Sequence, residues 1–202
     1  MANRSKIYSF SHPDAIKSCV ESLALGEIII IPTETVYGIA CKINDEEALN
    51  KIYRLKGRDF KKQISMMVHN VEALQELNLS FDSSLLPFME KCWPGPVTLI
   101  FDKEDGGTQG VRIPNNGFVL SLLEEVGPMY VTSANYSNDE DATTFLMASR
   151  YFIDKVSLLI DGGNCEYNES SSVFKVNDNQ LEVLREGPEC QMMLEYFDKI
   201  SI

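Results

Sequence analysis

Several large classes of protein are excluded by what this 202-residue chain lacks. No uninterrupted apolar run exceeds four residues, as at Ile28–Ile31, so nothing is long enough to span a bilayer as a helix. The opening Met-Ala-Asn-Arg-Ser-Lys leads into no apolar h-region, so no signal peptide is expected. The five cysteines (Cys19, Cys41, Cys92, Cys165 and Cys190) are scattered, odd in number and free of any C-x-x-C pair. That pattern argues for reduced thiols and a cytoplasmic location, and against a disulfide frame or a zinc site. With two histidines (His12 and His69) and no G-x-S-x-G, a hydrolase triad has little support. Neither the G-x-x-x-x-G-K-S/T loop nor G-x-G-x-x-G is present, and Gly106-Gly-Thr-Gln-Gly110 is too irregular to replace them. No Cys/His cluster offers a transition-metal site, and no metal-ligating residue is assigned. Positive charge is also scarce. Eighteen Lys and Arg face thirty Asp and Glu, a net charge of −12, which argues against tight binding of a long nucleic acid.

What remains is ordinary for a globular domain, at 44% hydrophobic and 24% charged residues. Periodicity and turn residues predict helices over Pro13–Leu25, from Asn44 (read as the N-cap) to Gly57, over Val71–Leu77, Ser84–Lys91, Phe118–Glu125, 142–153 and 189–200. The last should place Met192, Met193, Tyr196 and Phe197 on one face. Strands are expected at Ile28–Ile31, Ser65–Val68, Val97–Phe101, Met129–Thr132 and Val156–Ile160, with a late antiparallel pair at Val173–Val176 and Leu181–Leu184. The expected fold is a single α/β domain over residues 1–202, with a twisted mixed parallel/antiparallel sheet flanked by helices.

Two buried strands end in clusters of hydrogen-bonding residues. Ile28–Ile31 runs into Pro32-Thr-Glu-Thr-Val-Tyr-Gly38, and Met129–Thr132 into Ser133-Ala-Asn135-Tyr-Ser137. In open α/β sheets, ligands bind at such carboxyl ends of strands; alone, each segment also reads as a polar turn. Lys56-Gly-Arg58 with Lys61 and Lys62 is the dense cationic cluster of an acidic chain. It suits a polyphosphate, although lysine at a helix C-terminus also complements the helix dipole. Arg112 and Arg185 stand alone in their segments. Each, taken singly, reads as a surface ion pair or a ligand contact.

Together these segments resemble the threonylcarbamoyl-AMP synthase family, also called the YrdC or Sua5 family. The resemblance rests on Pro-Thr-Glu-Thr-Val-Tyr-Gly (32–38), Lys56-Gly-Arg58 with Lys62, Trp-Pro-Gly-Pro-Val-Thr (93–98), Val-Arg-Ile-Pro (111–114), Thr-Ser-Ala-Asn-Tyr-Ser (132–137), Ser-Ser-Val (171–173) and Arg-Glu-Gly (185–187). These come in the family's order and span a motif-bearing core of residues 26–187. The resemblance implies a nucleotidyltransferase. L-threonine and bicarbonate form an N-carboxy adduct, which attacks the α-phosphate of ATP to give threonylcarbamoyl-AMP and diphosphate. Downstream tRNA threonylcarbamoyl-transferase proteins then modify an adenosine beside the anticodon.

By the same resemblance, Lys56, Arg58, Ser133 and Asn135 are the catalytic set. Arg58, Lys62, Thr108, Ser133, Asn135, Thr143 and Arg185 contact ATP, while Thr35, Arg112, Ser133 and Ser171 surround threonine. Mg²⁺ accompanies ATP, bound mainly through phosphate oxygens. Gln63, Asn138 and Ser172 replace the family's usual proline, glycine and threonine. Ending soon after residue 187, the chain is expected to be the short form without the extra domain of longer members. The competing readings are a YciO-type paralogue with another acceptor and a non-catalytic RNA-binding module.

Overall fold

The computed structural model describes residues 4–104, 106–177 and 180–200. In chain order the strands are β1 (Lys6–Ser9), β2 (Ile29–Ile31), β3 (Gly38–Lys42), β4 (Ser65–Met67), β5 (Leu79–Ser80), β6 (Val97–Lys103), β7 (Thr108–Arg112), β8 (Met129–Ser133), β9 (Leu158–Asp161), β10 (Ser172–Asn177) and β11 (Gln180–Arg185). The helices are α1 (Ala15–Ala24), α2 (Glu46–Lys56), α3 (Ala73–Glu76), α4 (Leu86–Cys92), α5 (Gly117–Val126), α6 (Phe145–Phe152) and α7 (Cys190–Ile200). The strands form one mixed sheet in the order β1-β9-β2-β3-β8-β4-β7-β6-β10-β11, with β5 paired to β6. β1, β2 and β9 run parallel, as do β4 with β7 and β6 with β10, whereas β3/β8, β6/β7 and β10/β11 are antiparallel. The fold is the α/β mixed sheet that the sequence predicts.

Side chains alternate across a strand, so each strand supplies two layers. On one face, Ile30, Ile39, Cys41 and Leu159 pack with residues of α2 and α6, and Met66, Leu99, Val111 and Phe174 with residues of α3, α4 and α7. On the other face, α1 and α5 pack over Ile29, Ile31, Ala40, Val131 and Met67. Among the described residues none of the three core clusters continues over that face beyond β4. There the alternating positions are Ser65, Thr98, Ile100, Gly110 and Arg112. This part of the face is therefore largely polar, and it forms the floor of a cleft.

The structure adjusts several local expectations. The cap of α2 is Asp45, whose carboxylate accepts from Ala48 N at 2.9 Å; Asn44 precedes it with φ of +63°. Gly57 ends that helix in the left-handed conformation, as its sequence position implies. On α7, Met193 and Phe197 are buried and Tyr196 packs against them, but Met192 faces solvent. Neighbouring residues on a helix lie about 100° apart, so Met192 and Met193 do not share the buried stripe. The turn expected between the two late strands includes residues 178 and 179, which lie outside the described residues.

Candidate active site

Segment 32–38 is held open by its own hydroxyl groups. Thr33 Oγ1 donates to Val36 O at 2.6 Å and accepts from the backbone N–H of Thr35 and Val36. Since that proton is committed, Thr35 Oγ1 donates to Thr33 Oγ1 at 2.9 Å and accepts from Arg112 Nη1 at 2.8 Å. Tyr37 reaches the opposite way. Its hydroxyl accepts from Gly162 N and donates to Gly163 O, both at 2.9 Å, and burial raises its pKa. The segment is thus a rigid rim, and Thr35 lines the cleft together with Thr33, Val36, Tyr37 and Gly38.

Arg112 is 5% exposed and fully oriented. Nε donates to Gly95 O at 3.0 Å, Nη1 to Thr35, and Nη2 lies 2.6 Å from Glu34 Oε1. The same Glu34 oxygen accepts from Asn115 N at 2.8 Å, while Oε2 is buried without a hydrogen-bond partner. A buried charge needs such a counterion. Glu34 therefore neutralises Arg112 from behind, and this role is hidden in the sequence because the partner is 78 positions away.

The end of β8 is organised by Lys56. Its ammonium is 2% exposed and donates to Ser133 O, to Asn135 O at 2.6 Å and to Asn135 Oδ1 at 3.1 Å. A lysine has three donors, so none is left for a phosphate. Burial pulls its pKa down to about 8, with Arg58 pressing the same way and Asp141 opposing. The acceptor oxygens around Nζ also favour the charged form. Asn135 is equally committed. Oδ1 accepts from Lys56 and from Ser133 Oγ at 2.7 Å; Nδ2 donates to Asp139 O at 2.8 Å and to Asp141 Oδ1 at 3.2 Å. Ser137 N then caps the last carbonyl of α2, Lys56 O, at 2.9 Å. Asn138 takes φ of +74°, so the turn survives without the usual glycine.

A cavity of about 120 Å³ opens between these pieces, lined by Thr35, Arg58, Thr98, Arg112, Ser133 and Ser171, with Arg185 beside them. Arg58 is anchored by Nε to Lys62 O and Nη2 to Gln63 O, both at 2.9 Å, so Gln63 serves through its carbonyl. Arg185 donates from Nε to Ser171 O at 2.8 Å and from Nη2 to Ser171 Oγ at 3.0 Å; that oxygen also lies 2.8 Å from Thr98 Oγ1. Burial lowers the pKa of Arg58 and of Arg185, and Arg112 and Arg58 both press on Arg185. Three guanidinium groups therefore feel one another across a small cleft.

Of the residues singled out from sequence, Thr35, Arg58, Arg112, Ser133, Ser171 and Arg185 meet at this cavity. Lys56 and Asn135 lie directly behind its wall. Lys62 is exposed on the loop that holds Arg58. Thr108 lies on the same side of β7 as Gly110 and Arg112, but four positions from Arg112, the β7 residue that lines the cavity, toward the β6–β7 hairpin. Thr143 is outside the wall as well, its hydroxyl 3.6 Å from Met147 Sδ. Sequence reasoning missed Ser65, Thr98 and Ser170, which also line the cavity. For Ser65 and Thr98, strand alternation against the buried Met66 and Val97 is the signal that could have found them.

The fold and cleft define a class: an α/β protein with an arginine-walled, hydroxyl-rich pocket for anionic groups at strand ends. The chain belongs to the Sua5/YciO/YrdC family, whose family model, described as telomere recombination, matches residues 21–187. It is 30% identical over 192 residues to the putative threonylcarbamoyl-AMP synthase of Methanocaldococcus jannaschii, covering 90% of this chain and 91% of that protein. Among solved structures it is similar to Pyrococcus abyssi Sua5 complexed with L-threonine, with a TM-score of 0.81 and 28% identity. That match covers 92% of this chain but only 56% of the Pyrococcus chain. Escherichia coli YciO shares the fold, with a TM-score of 0.80 at 24% identity, covering 91% of this chain and 96% of that one.

Proposed function

We propose that this protein is an L-threonylcarbamoyladenylate synthase. It joins L-threonine, bicarbonate and ATP into threonylcarbamoyl-AMP and diphosphate for tRNA modification. The observation that carries this reading is the division of charge in the cleft. Glu34 neutralises Arg112, whereas Arg58 and Arg185 reach the cavity held by hydrogen bonds to neutral carbonyl and hydroxyl oxygens, in a chain with net charge −12. The related synthase of M. jannaschii and the threonine complex of P. abyssi Sua5 support the choice of reaction and substrate.

Arg112 commits Nε and one Nη1 hydrogen to hydrogen bonds and faces Glu34 with Nη2 as an ion pair without hydrogen-bond geometry, so donor hydrogens on Nη1 and Nη2 remain for a carboxylate. It holds the threonine carboxylate, with Thr35 and Ser171 close by for the remaining polar groups. The amine of threonine is carboxylated by bicarbonate with loss of water, a new N–C bond replacing one C–O bond of bicarbonate, and presents a carbamate oxygen. That oxygen attacks the α-phosphorus, a new P–O bond forms, and the bond to the β-phosphate oxygen breaks with release of diphosphate. Such a step needs alignment and charge stabilisation more than covalent help. Arg58 and Arg185 supply that charge, and Lys62 meets the outer phosphates. Ser133 contacts the phosphates by its hydroxyl, while Lys56 and Asn135 fix the turn that carries it. Thr108 and Thr143 lie where a nucleotide would extend beyond the cavity. Among the described residues no group of three or more His, Cys, Asp or Glu side chains could hold a metal ion. Mg²⁺ would therefore arrive on the phosphates.

The enzyme would work in the cytoplasm and hand its product to tRNA threonylcarbamoyl-transferase proteins. Among the described residues no helix is long and apolar enough to cross a membrane. Pyrophosphate release by the purified protein tests the reading: it should require ATP, bicarbonate and L-threonine together. Release that ignores threonine would point to another acceptor, as in a YciO-type paralogue. No release, together with RNA retention at moderate salt, would favour a binding module.

A further inference from the structure

Asn135 lies between a cation and an anion, and only the cation has so far been given a task. On the anionic side stands Asp141. Its Oδ1 accepts from Asn135 Nδ2, and its Oδ2 accepts from Ser170 Oγ at 2.5 Å. Asp141 does not line the cavity, but Ser170 does, and Asn135 supports Ser133, which does as well. From Ser170 the chain passes to Ser171, the partner of Arg185 and Thr98. One carboxylate thus bridges the phosphate-side turn after β8 and the entry to β10. Burial drags down the pKa of both Lys56 and Arg185, and Asp141 pulls both back up. An acid beside an anion site repels the ligand. Its presence there has to be offset by what it holds together.

We propose that Asp141 is a positioning residue that ties the Ser133–Asn135 turn to the Ser170–Ser172 segment, so that the nucleotide and threonine walls of the cleft keep one geometry and the two substrates bind cooperatively. The proposal rests on the synthase reading. It acts through Asn135 and Ser170 and needs no contact between Asp141 and either substrate. Each wall taken alone is also anchored elsewhere, by Lys56 on one side and by Arg185 on the other, so loss of the bridge should uncouple the walls rather than dismantle them.

Calorimetric titration of L-threonine, with and without Mg²⁺ and α,β-methylene-ATP, tests it on wild type, Asp141→Ala and Ser170→Ala. The Ser170 variant removes one hydroxyl and keeps the test sound if Asp141→Ala folds poorly. In wild type the nucleotide analogue should tighten threonine binding about fivefold or more. Both variants should bind each ligand alone yet lose most of that coupling, an effect that a merely structural weakening would not produce. Wild-type coupling retained in folded Asp141→Ala or Ser170→Ala overturns the proposal, as does a wild type that binds both ligands independently. A folded wild type that binds neither ligand overturns the synthase reading and this proposal with it.

Discussion

A guanidinium has five donor hydrogens, and the arginines of this cleft divide theirs differently. Arg112 commits two to Gly95 and Thr35 and is paired by charge with Glu34, so its position is fixed before any ligand arrives. Arg58 commits two, both to carbonyls of its own loop. Replacing Arg58 with alanine should therefore leave the fold intact and slow adenylate formation at least about tenfold, roughly 1.4 kcal/mol of transition-state stabilisation. Steady-state kinetics alongside a thermal melt separates the two effects. Glu34→Ala is the opposite case. It leaves a buried guanidinium without its counterion, so urea unfolding should show a loss of about 3 kcal/mol or more.

Lys56 makes a pH prediction with a definite sign. Its folded pKa, about 8, is below the ordinary 10.5. Between those values the unfolded chain holds a proton that the folded chain has shed, so this group adds stability as pH rises through that window. Unfolding free energies of wild type and Lys56→Met, measured from pH 7 to 10.5, should converge or diverge in wild type's favour only above about pH 8. A difference that is flat in pH would show that the folded pKa is not depressed and that the acceptor oxygens around Nζ outweigh burial.

At the scale of elements, the close approach of β3 and β8 places Ser133. Gly38 pairs with Ser133 in the register, and a Cβ on Gly38 would lie 2.6 Å from Val131 Cγ1. Gly38→Ala must push β8 away, at a cost of about 2 kcal/mol in stability and with a loss of turnover. Adding Val131→Ala should restore much of both, as measured by denaturation and pyrophosphate release; a double variant no better than the single would refute the crowding argument.

Local signals made some elements legible. The β-branched run of β2, the capped and glycine-stopped α2, and the small-residue end of β8 all carry their instructions within a few residues. β1, β3 and β5 escaped because their short segments become strands through pairing with β9, β8 and β6. The same distinction holds in the site. Thr35, Arg58 and Arg112 stand in recognisable motifs, whereas Asp141 and Ser170 matter through partners 29 positions apart. The placement of Lys56 behind the wall needed the third dimension, since only geometry shows that all three of its donors are taken.

Across the whole molecule, helices cover one face of the sheet and part of the other, and the remaining part carries Ser65, Thr98, Ile100, Gly110 and Arg112. An acidic protein thereby keeps a small cationic cleft without a broad basic surface. That charge pattern suits a small anionic substrate rather than a long nucleic acid. The most direct measurement is mass spectrometry of the product formed from ATP, L-threonine and isotope-labelled bicarbonate. A threonine-containing adenylate that carries the bicarbonate label is the predicted result. An adenylate without threonine or without the label would contradict the account.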